Sequence, residues 1–169
     1  DSAGSAFAIP VPAAALNVKP GVMPAALKSD YFCIVKPDIE HRADIERLIN
    51  TFYDNVRTDS LLGPVFNDVA RVDWPKHLPV MYNFWEFLLL GGTQYQGNPI
   101  QKHFDLHAAH PLSAAHFDRW LLLFQTTVDE LFAGPVADDA KFRAFAISET
   151  WKPKFTGGHG LQITAPPAE

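Results

Sequence analysis

The sequence predicts an all-α protein. Three observations carry this. Apolar residues recur at three- and four-residue steps in several long windows, the period of one buried helix face. No stretch alternates polar and apolar residues at the two-residue period of a strand. Paired breakers, Gly91-Gly92, Gly134-Pro135 and Lys152-Pro153, fall between the periodic windows.

Residues 1–36 carry Pro10, Pro12, Pro20 and Pro24 among many Ala, Gly and Ser. Proline fixes φ and removes a donor, so this is read as an extended or disordered Ala/Pro-rich arm. Tyr31, Phe32, Ile34 and Val35 are candidates to anchor its end. Pro37-Asp38 then opens the first helical region, with Asp38 as its N-cap and Asp44 as a second cap, so a bend between them is expected. Ile45, Leu48, Ile49, Phe52, Tyr53 and Val56 form its apolar stripe, ending near Arg57–Ser60. Tyr53 stands out, because a buried phenol needs a partner, either a backbone carbonyl or a group in a pocket.

Leu61–Asn67 reads as a turn, in which Phe66 is either plain core or a wedge against a cofactor. A polar connection follows, and Asp73 caps the next helix, about Trp74 to Leu90. His77, Met81, Phe84 and Leu88 share one face of it, with Trp85 beside them. Pro79 predicts an irregular first turn near His77. Beyond Gly91-Gly92 and a loop with Tyr95 and Gly97, Pro99 starts a short helix carrying His103 one turn later among Ile100, Phe104 and Leu106. His107, His110 and Pro111 are read as loop. Ser113 caps a helix to about Phe132, with His116, Phe117, Trp120, Leu123, Phe124, Thr127 and Leu131 inward. A last helix is expected from about Ala137 to Trp151, ended by Lys152-Pro153, and residues 156–169 read as a loose tail. The folded domain is therefore expected over residues 37–155.

Composition narrows the function. The chain has 169 residues, enough for one domain with a substantial core. Its net charge of −5, without a Lys/Arg run, argues against nucleic-acid and anionic-membrane surfaces. Its 13 Phe and 4 Trp can build a core or line a flat apolar pocket. No stretch approaches the length of a membrane span, and the apolar run Ala6–Leu16 lacks a basic leader. The single cysteine, Cys33, excludes an internal disulfide and suits a reducing compartment, so a cytoplasmic location is expected. There is no phosphate-cradling glycine loop, no flavin or nicotinamide motif, and no Ser-His-Asp arrangement.

Histidine carries the chemistry. A neutral imidazole on a short helix with apolar neighbours is what an axial haem ligand needs, and His103 is that candidate. His77 lies 26 residues earlier, across the Gly-Gly break, so the two helices can face each other over a flat slab. No Cys-x-x-Cys-His is present, which makes the expected cofactor non-covalent haem b. Burial against Phe52, Phe66, Met81, Phe84, Trp85, Leu106 and Phe124 supplies most of its affinity, at about 25 cal/mol per Å² of apolar area. Two other readings stand beside this one. His77, His103 and His107 suit a non-haem metal in a helical bundle, and a cofactor-free helical interaction module accounts for the same histidines as core and surface residues.

Five separated motifs resemble one family. Leu48-x-x-x-Phe52-Tyr53-x-x-Val56-Arg57-x-Asp59 resembles the B helix of truncated haemoglobins. Leu62-Gly63-Pro64-Val65-Phe66-Asn67 resembles their turn into a haem-packing phenylalanine, and Trp74-x-x-His77 with Asn83-Phe84-Trp85 their E helix. Tyr95-x-Gly97-x-Pro99-x-x-x-His103 is similar to the short F segment, and Phe117-x-x-Trp120-Leu121-x-Leu123-Phe124 to the G helix. The set spans about residues 38–155 and is most similar to group III.

The resemblance implies a truncated globin fold, a two-over-two helical sandwich around haem. It implies His103 as proximal iron ligand, Tyr53, His77 and Trp120 on the distal side, and haem-packing roles for Phe52, Phe66 and Phe84. It implies binding of O2, NO or CO, with NO detoxification or O2/peroxide chemistry needing a separate reductase. Tyr53 and Trp120 are expected to donate to the bound ligand. His77 is expected to gate access, to add a third donor, or to bind the iron in the ligand-free state. Lys102 and Tyr95 are candidates near the haem rim. Short family members lack the Ala/Pro arm, which leaves the oligomeric state open.

Overall fold

The computed structural model describes residues 36–157. The expected arm and tail lie outside the described residues, apart from Lys36, Thr156 and Gly157. Five α-helices follow in order: α1 Arg42–Thr58, α2 Trp74–Leu90, α3 Pro99–Ala109, α4 Ala114–Leu131 and α5 Pro135–Phe155. A π-helical turn, Val65–Val69, sits between α1 and α2, and no strand occurs among the described residues.

The helices form two antiparallel pairs. Arg42 of α1 reaches Glu86 and Asn83 of α2, while Tyr53 lies 5.3 Å from His77 between ring centroids, so α1 and α2 run in opposite directions. Asp118–Lys152 at 2.6 Å and Asp129–Lys141 at 2.7 Å do the same for α4 and α5. α1 packs on α4 and joins the pairs, whereas α3 packs against α5.

Two helix starts differ from expectation. Asp38 does not cap α1. Its carboxylate accepts the N–H groups of Val136 at 3.0 Å and Ala137 at 2.8 Å, which are orphan donors at the start of α5. Nearness in sequence suggested the wrong helix, because orphan N–H groups donate to any carboxylate that the tertiary fold brings up. Gly134 is matched to this cap: its φ is 146°, and a Cβ there would lie 2.5 Å from the Asp38 carboxyl carbon. α1 instead begins at Arg42, where the Asp44 carboxylate accepts the His41 N–H at 2.9 Å and the Glu40 N–H at 3.0 Å.

Asp38→Ala is expected to lower stability by about 1–2 kcal/mol, the usual worth of such a cap. Burial pushes the Asp38 carboxyl up, but the N–H groups of Val136, Ile39 and Ala137 outweigh it and hold its pKa below the ordinary value. A depressed folded pKa gives stability that is complete above the unfolded value of about 3.9 and fades as pH falls through the folded one. The gap between wild-type and Asp38→Ala urea midpoints is therefore expected at neutral pH and should shrink below about pH 4. An unchanged midpoint at pH 7 would refute the cap.

Both interior prolines are absorbed. α2 runs without a break through Pro79, contrary to the irregular turn expected near His77; the aromatic contacts of Tyr53 with Trp74 and His77 hold its first turns against α1. α5 continues through Pro153 to Phe155 rather than ending at Lys152. Phe155 is 3% exposed and packs with Val65, Leu112 and Phe117. Burying a phenylalanine is worth about 1.5–3 kcal/mol, comparable to the ~3 kcal/mol an interior proline costs. α3 also runs further than expected, taking His107 into the helix.

The apolar residues form two clusters. The larger joins α1, α2, α4 and the first half of α5 around Phe52, Trp85, Phe124 and Val128. The smaller collects Val65, Leu112, Phe117 and Phe155, with Ile100, Leu106 and Trp151 against it. Phe66 packs against both. Between α1 and α2, the Asp59 carboxylate accepts the N–H groups of Leu61 at 3.0 Å and Leu62 at 2.9 Å and pairs with Arg119 at 2.7 Å, which ties this turn to α4.

Candidate functional site

His103 stands one turn into α3. Its Nδ1–H donates to the Pro99 carbonyl at 2.8 Å. A carbonyl only accepts, so this bond places the proton on Nδ1 and leaves the Nε2 lone pair for a metal, the usual arrangement of a ligating histidine. Burial holds the His103 pKa below its ordinary value, against the upward pull of the Pro99 bond, and the imidazole is neutral at pH 7.

His77 stands near the start of α2. Burial lowers its pKa, and the charge that His103 would carry if protonated lowers it further. Its Nε2 is buried without a hydrogen-bond partner among the described residues. A buried polar nitrogen left unpaired is costly unless something in the site uses it. The His77 ring meets Tyr53 at 5.3 Å and Trp74 at 5.9 Å, both edge to face.

Tyr53 lies between these rings and Phe66, at 6.1 Å. It is 6% exposed, and burial pushes its phenol pKa up, so it stays a protonated donor. Trp120 is half-buried on α4, stacked on Phe124 at 5.6 Å and edge-on to Phe52 at 5.6 Å. Phe52 in turn touches Tyr53 at 4.9 Å. The structure thus brings Tyr53 and His77 into direct contact and sets Trp120 next to them through Phe52.

The expected apolar lining divides into two layers. Phe52, Trp85 and Phe124 belong to the closed core, Trp85 stacked on Phe124 at 4.4 Å. Phe66, Met81 and Phe84 are half-buried against that core, and Leu106 is half-buried against the smaller cluster. Tyr95 packs on Phe84 at 5.1 Å and is half-buried, while Lys102 is exposed.

The sequence offers His107 both as loop and as a partner of His103 for a metal. It is helical, and its Nδ1 accepts the Leu112 N–H at 2.9 Å, where it closes the turn into α4. Among the described residues no group of three or more His, Cys, Asp or Glu could hold a metal ion. A polar groove between α1 and α4, lined by Asn55, Asp59, Arg119 and Glu130, contains none of the candidate residues.

Three members of the site escaped the sequence reading. In the sequence Trp74 is only part of the α2 motif, yet its ring is in the cluster with Tyr53 and His77. Trp151 and Phe155 stand against His103, at 4.9 and 6.4 Å between ring centroids. The signal for both was a four-residue step from an aromatic at the end of α5, hidden by the intervening Pro153.

The residues fit a haem. One neutral imidazole has its Nε2 free and its Nδ1 tied down, another has an unpaired buried Nε2, and apolar aromatic walls accompany both. The family model for bacterial-like globins matches residues 38–151. The chain belongs to this family, and its cofactor is haem. A group 3 truncated haemoglobin of Campylobacter jejuni is 35% identical over 54% of this chain and 72% of its own length. The group 1 truncated haemoglobin GlbN of Nostoc commune is 35% identical over 44% of this chain and 58% of its own. A crystal structure of a group III truncated haemoglobin from Campylobacter jejuni superposes with a TM-score of 0.64 at 31% identity, covering 74% of this chain and all of that one. Within the globins this is a truncated haemoglobin of group III, with the two-over-two fold. No helix among the described residues is long and apolar enough to cross a membrane.

Proposed function

We propose that this globin holds haem b non-covalently through His103 Nε2 and binds O2, NO or CO on the face opposite, among Tyr53, His77 and Trp120. The observation that carries the reading is the 2.8 Å bond from His103 Nδ1–H to the Pro99 carbonyl, which frees the other nitrogen as a ligand. The absence of Cys-x-x-Cys-His from the sequence supports non-covalent attachment. Phe66, Met81, Phe84 and Leu106 wall the macrocycle, and the core around Phe52, Trp85 and Phe124 backs them.

When bound, the haem iron supplies an open coordination position for a diatomic ligand. The chain supplies donors. The Tyr53 phenol, buried, and the Trp120 indole, half-buried, are each one-proton donors in an aromatic setting, and a hydrogen bond is stronger where water is excluded than in water. His77 is neutral and close to Tyr53, and it controls access to the same space. The single cysteine fits a reducing cytoplasm.

The chemistry that suits this site is oxygen-dependent NO removal. Forming nitrate from NO and O2 consumes one electron, so sustained turnover needs a separate reductase. Continued NO consumption under air with a cellular reductant is the expected result, and a single stoichiometric turnover would leave ligand binding as the function.

Absorption spectra of the purified protein, oxidised, reduced and with CO, test the haem reading directly. A Soret band that moves with oxidation state and CO is expected, and a colourless protein unchanged by added haem would end it. His77→Leu separates the two roles of that residue. If His77 gates access, CO association accelerates and the ligand-free spectrum is unchanged. If His77 coordinates the iron, a low-spin six-coordinate spectrum disappears in the variant.

A further inference from the structure

We propose that Trp151 is a positioning residue for the proximal imidazole, holding the His103 ring in place from α5. This rests on the reading that His103 is the iron ligand and adds what orients it.

α3 is a helix of 11 residues without a fully buried side chain, and its packing partner is α5. The orientation of His103 therefore depends on what α5 presents. The half-buried Trp151 ring stands against the imidazole with centroids 4.9 Å apart and planes at 67°. At its Nδ1 edge, the imidazole N–H is tied to the Pro99 carbonyl at 2.8 Å. One hydrogen bond fixes one edge of a ring but lets the ring swing about it. A bulky, rigid neighbour packed against the ring blocks that swing. The two contacts together fix where Nε2 points.

Trp151 is itself held. Phe155, one turn on, stands 6.4 Å from His103 and is wedged between Phe104 at 4.7 Å and Phe117 at 5.6 Å. Lys152, next to Trp151, is paired with Asp118 at 2.6 Å and Glu149 at 2.7 Å. The last turns of α5 are thus fastened from both sides. They reach this position because α5 runs through Pro153 to Phe155. Trp151 acts through His103, from the same small cluster that Leu106 and Phe66 pack against.

Groups that orient a metal ligand are worth about 10–100-fold in metal affinity. The test compares Trp151→Ala, Trp151→Leu and Trp151→Phe in the full haem-loaded chain, with Phe142→Ala, on the exposed side of α5, as control. Two quantities are measured: haem transfer to an excess of an apoglobin acceptor, and the iron–imidazole stretching band of the reduced, ligand-free protein by resonance Raman. Trp151→Ala and Trp151→Leu are expected to speed haem transfer about tenfold or more and to shift or broaden the band. Trp151→Phe, which keeps a ring at the contact, is expected to keep the wild-type band, as is Phe142→Ala.

If Trp151→Leu lowers the melting temperature but leaves the band unchanged, Trp151 is only core and the proposal is overturned. Should Trp151→Ala fail to fold, the Leu and Phe variants decide alone by the same readout. Where His77 occupies the iron of the reduced protein, the band is read in the His77→Leu background. A band that persists unchanged in His103→Gly overturns the His103 assignment and this proposal with it, and that result does not depend on the Trp151 variants.

Discussion

His103→Gly should purify without stably bound haem and regain its Soret band when soluble imidazole is added. The glycine leaves a space the size of an imidazole below the Pro99 carbonyl, and the exogenous ring occupies it without being tethered. Haem transfer to an apoglobin acceptor is the quantitative form of the test. The apolar walls still bind the macrocycle, so affinity falls but does not vanish, and removal of a ligand outright should exceed the ~10–100-fold loss typical of removing a group that merely orients one. Transfer more than about a hundredfold faster than wild type is therefore expected. A variant that keeps its colour and a five-coordinate spectrum would remove His103 from the site. His107, one turn further along α3, is not a ready substitute, because its Nδ1 already takes the Leu112 N–H.

The second large effect concerns O2 release. Tyr53→Phe and Trp120→Phe each delete one donor while keeping an aromatic ring. A neutral hydrogen bond is worth about 1 ± 0.5 kcal/mol net, and more where water is excluded. Each substitution is therefore expected to speed O2 dissociation by about 5- to 30-fold, measured by stopped-flow displacement with CO. CO association should change little, because a gate is not removed. Phe52 touches both Tyr53 and Trp120, so the double variant should depart from simple multiplication, as contacting residues do. Unchanged O2 dissociation in both single variants would show that neither side chain reaches the ligand. Burial already pushes the Tyr53 phenol pKa up, so its donor role should show no pH dependence across the neutral range.

Several features of the fold were legible because they are local. α2 was expected over Trp74–Leu90 and is found there: Gly91-Gly92 marks its end, and Asp73 stands at its N-cap position, although the Asp73 carboxylate pairs with Lys76 at 2.6 Å and does not cap the helix N–H groups. Gly91 indeed stops it in a left-handed conformation, φ 72°. The Ser113 start of α4 was equally local: its reciprocal bond with His116 lies within four residues. The Pro99–His103 spacing was legible for the same reason, as an i to i+4 carbonyl-to-imidazole bond needs nothing outside one helical turn.

What was misread depended on distant partners. Asp38 looked like the cap of the helix that follows it, but its donors come from Val136 and Ala137, nearly a hundred residues away. Pro153 looked like a stop, but the burial of Phe155 between Phe104 and Phe117 carries the helix past it. His107 looked like a free ligand because the Leu112 N–H that occupies it belongs to the next turn of chain. In each case a local preference of a few kcal/mol at most was met by a tertiary contact of similar size.

Sequence by itself therefore determined the helical class, the helix ends marked by local breakers, and the placing of His103 one helical turn after Pro99. Tertiary structure alone decided that Tyr53, Trp74 and His77 share one cluster, that Asp38 serves α5, and that Trp151 stands against His103. The reason is range. Backbone propensities and caps act over about one turn, whereas side chains from helices far apart in the chain meet only after the packing of α1 on α2 and of α3 on α5 has brought them together.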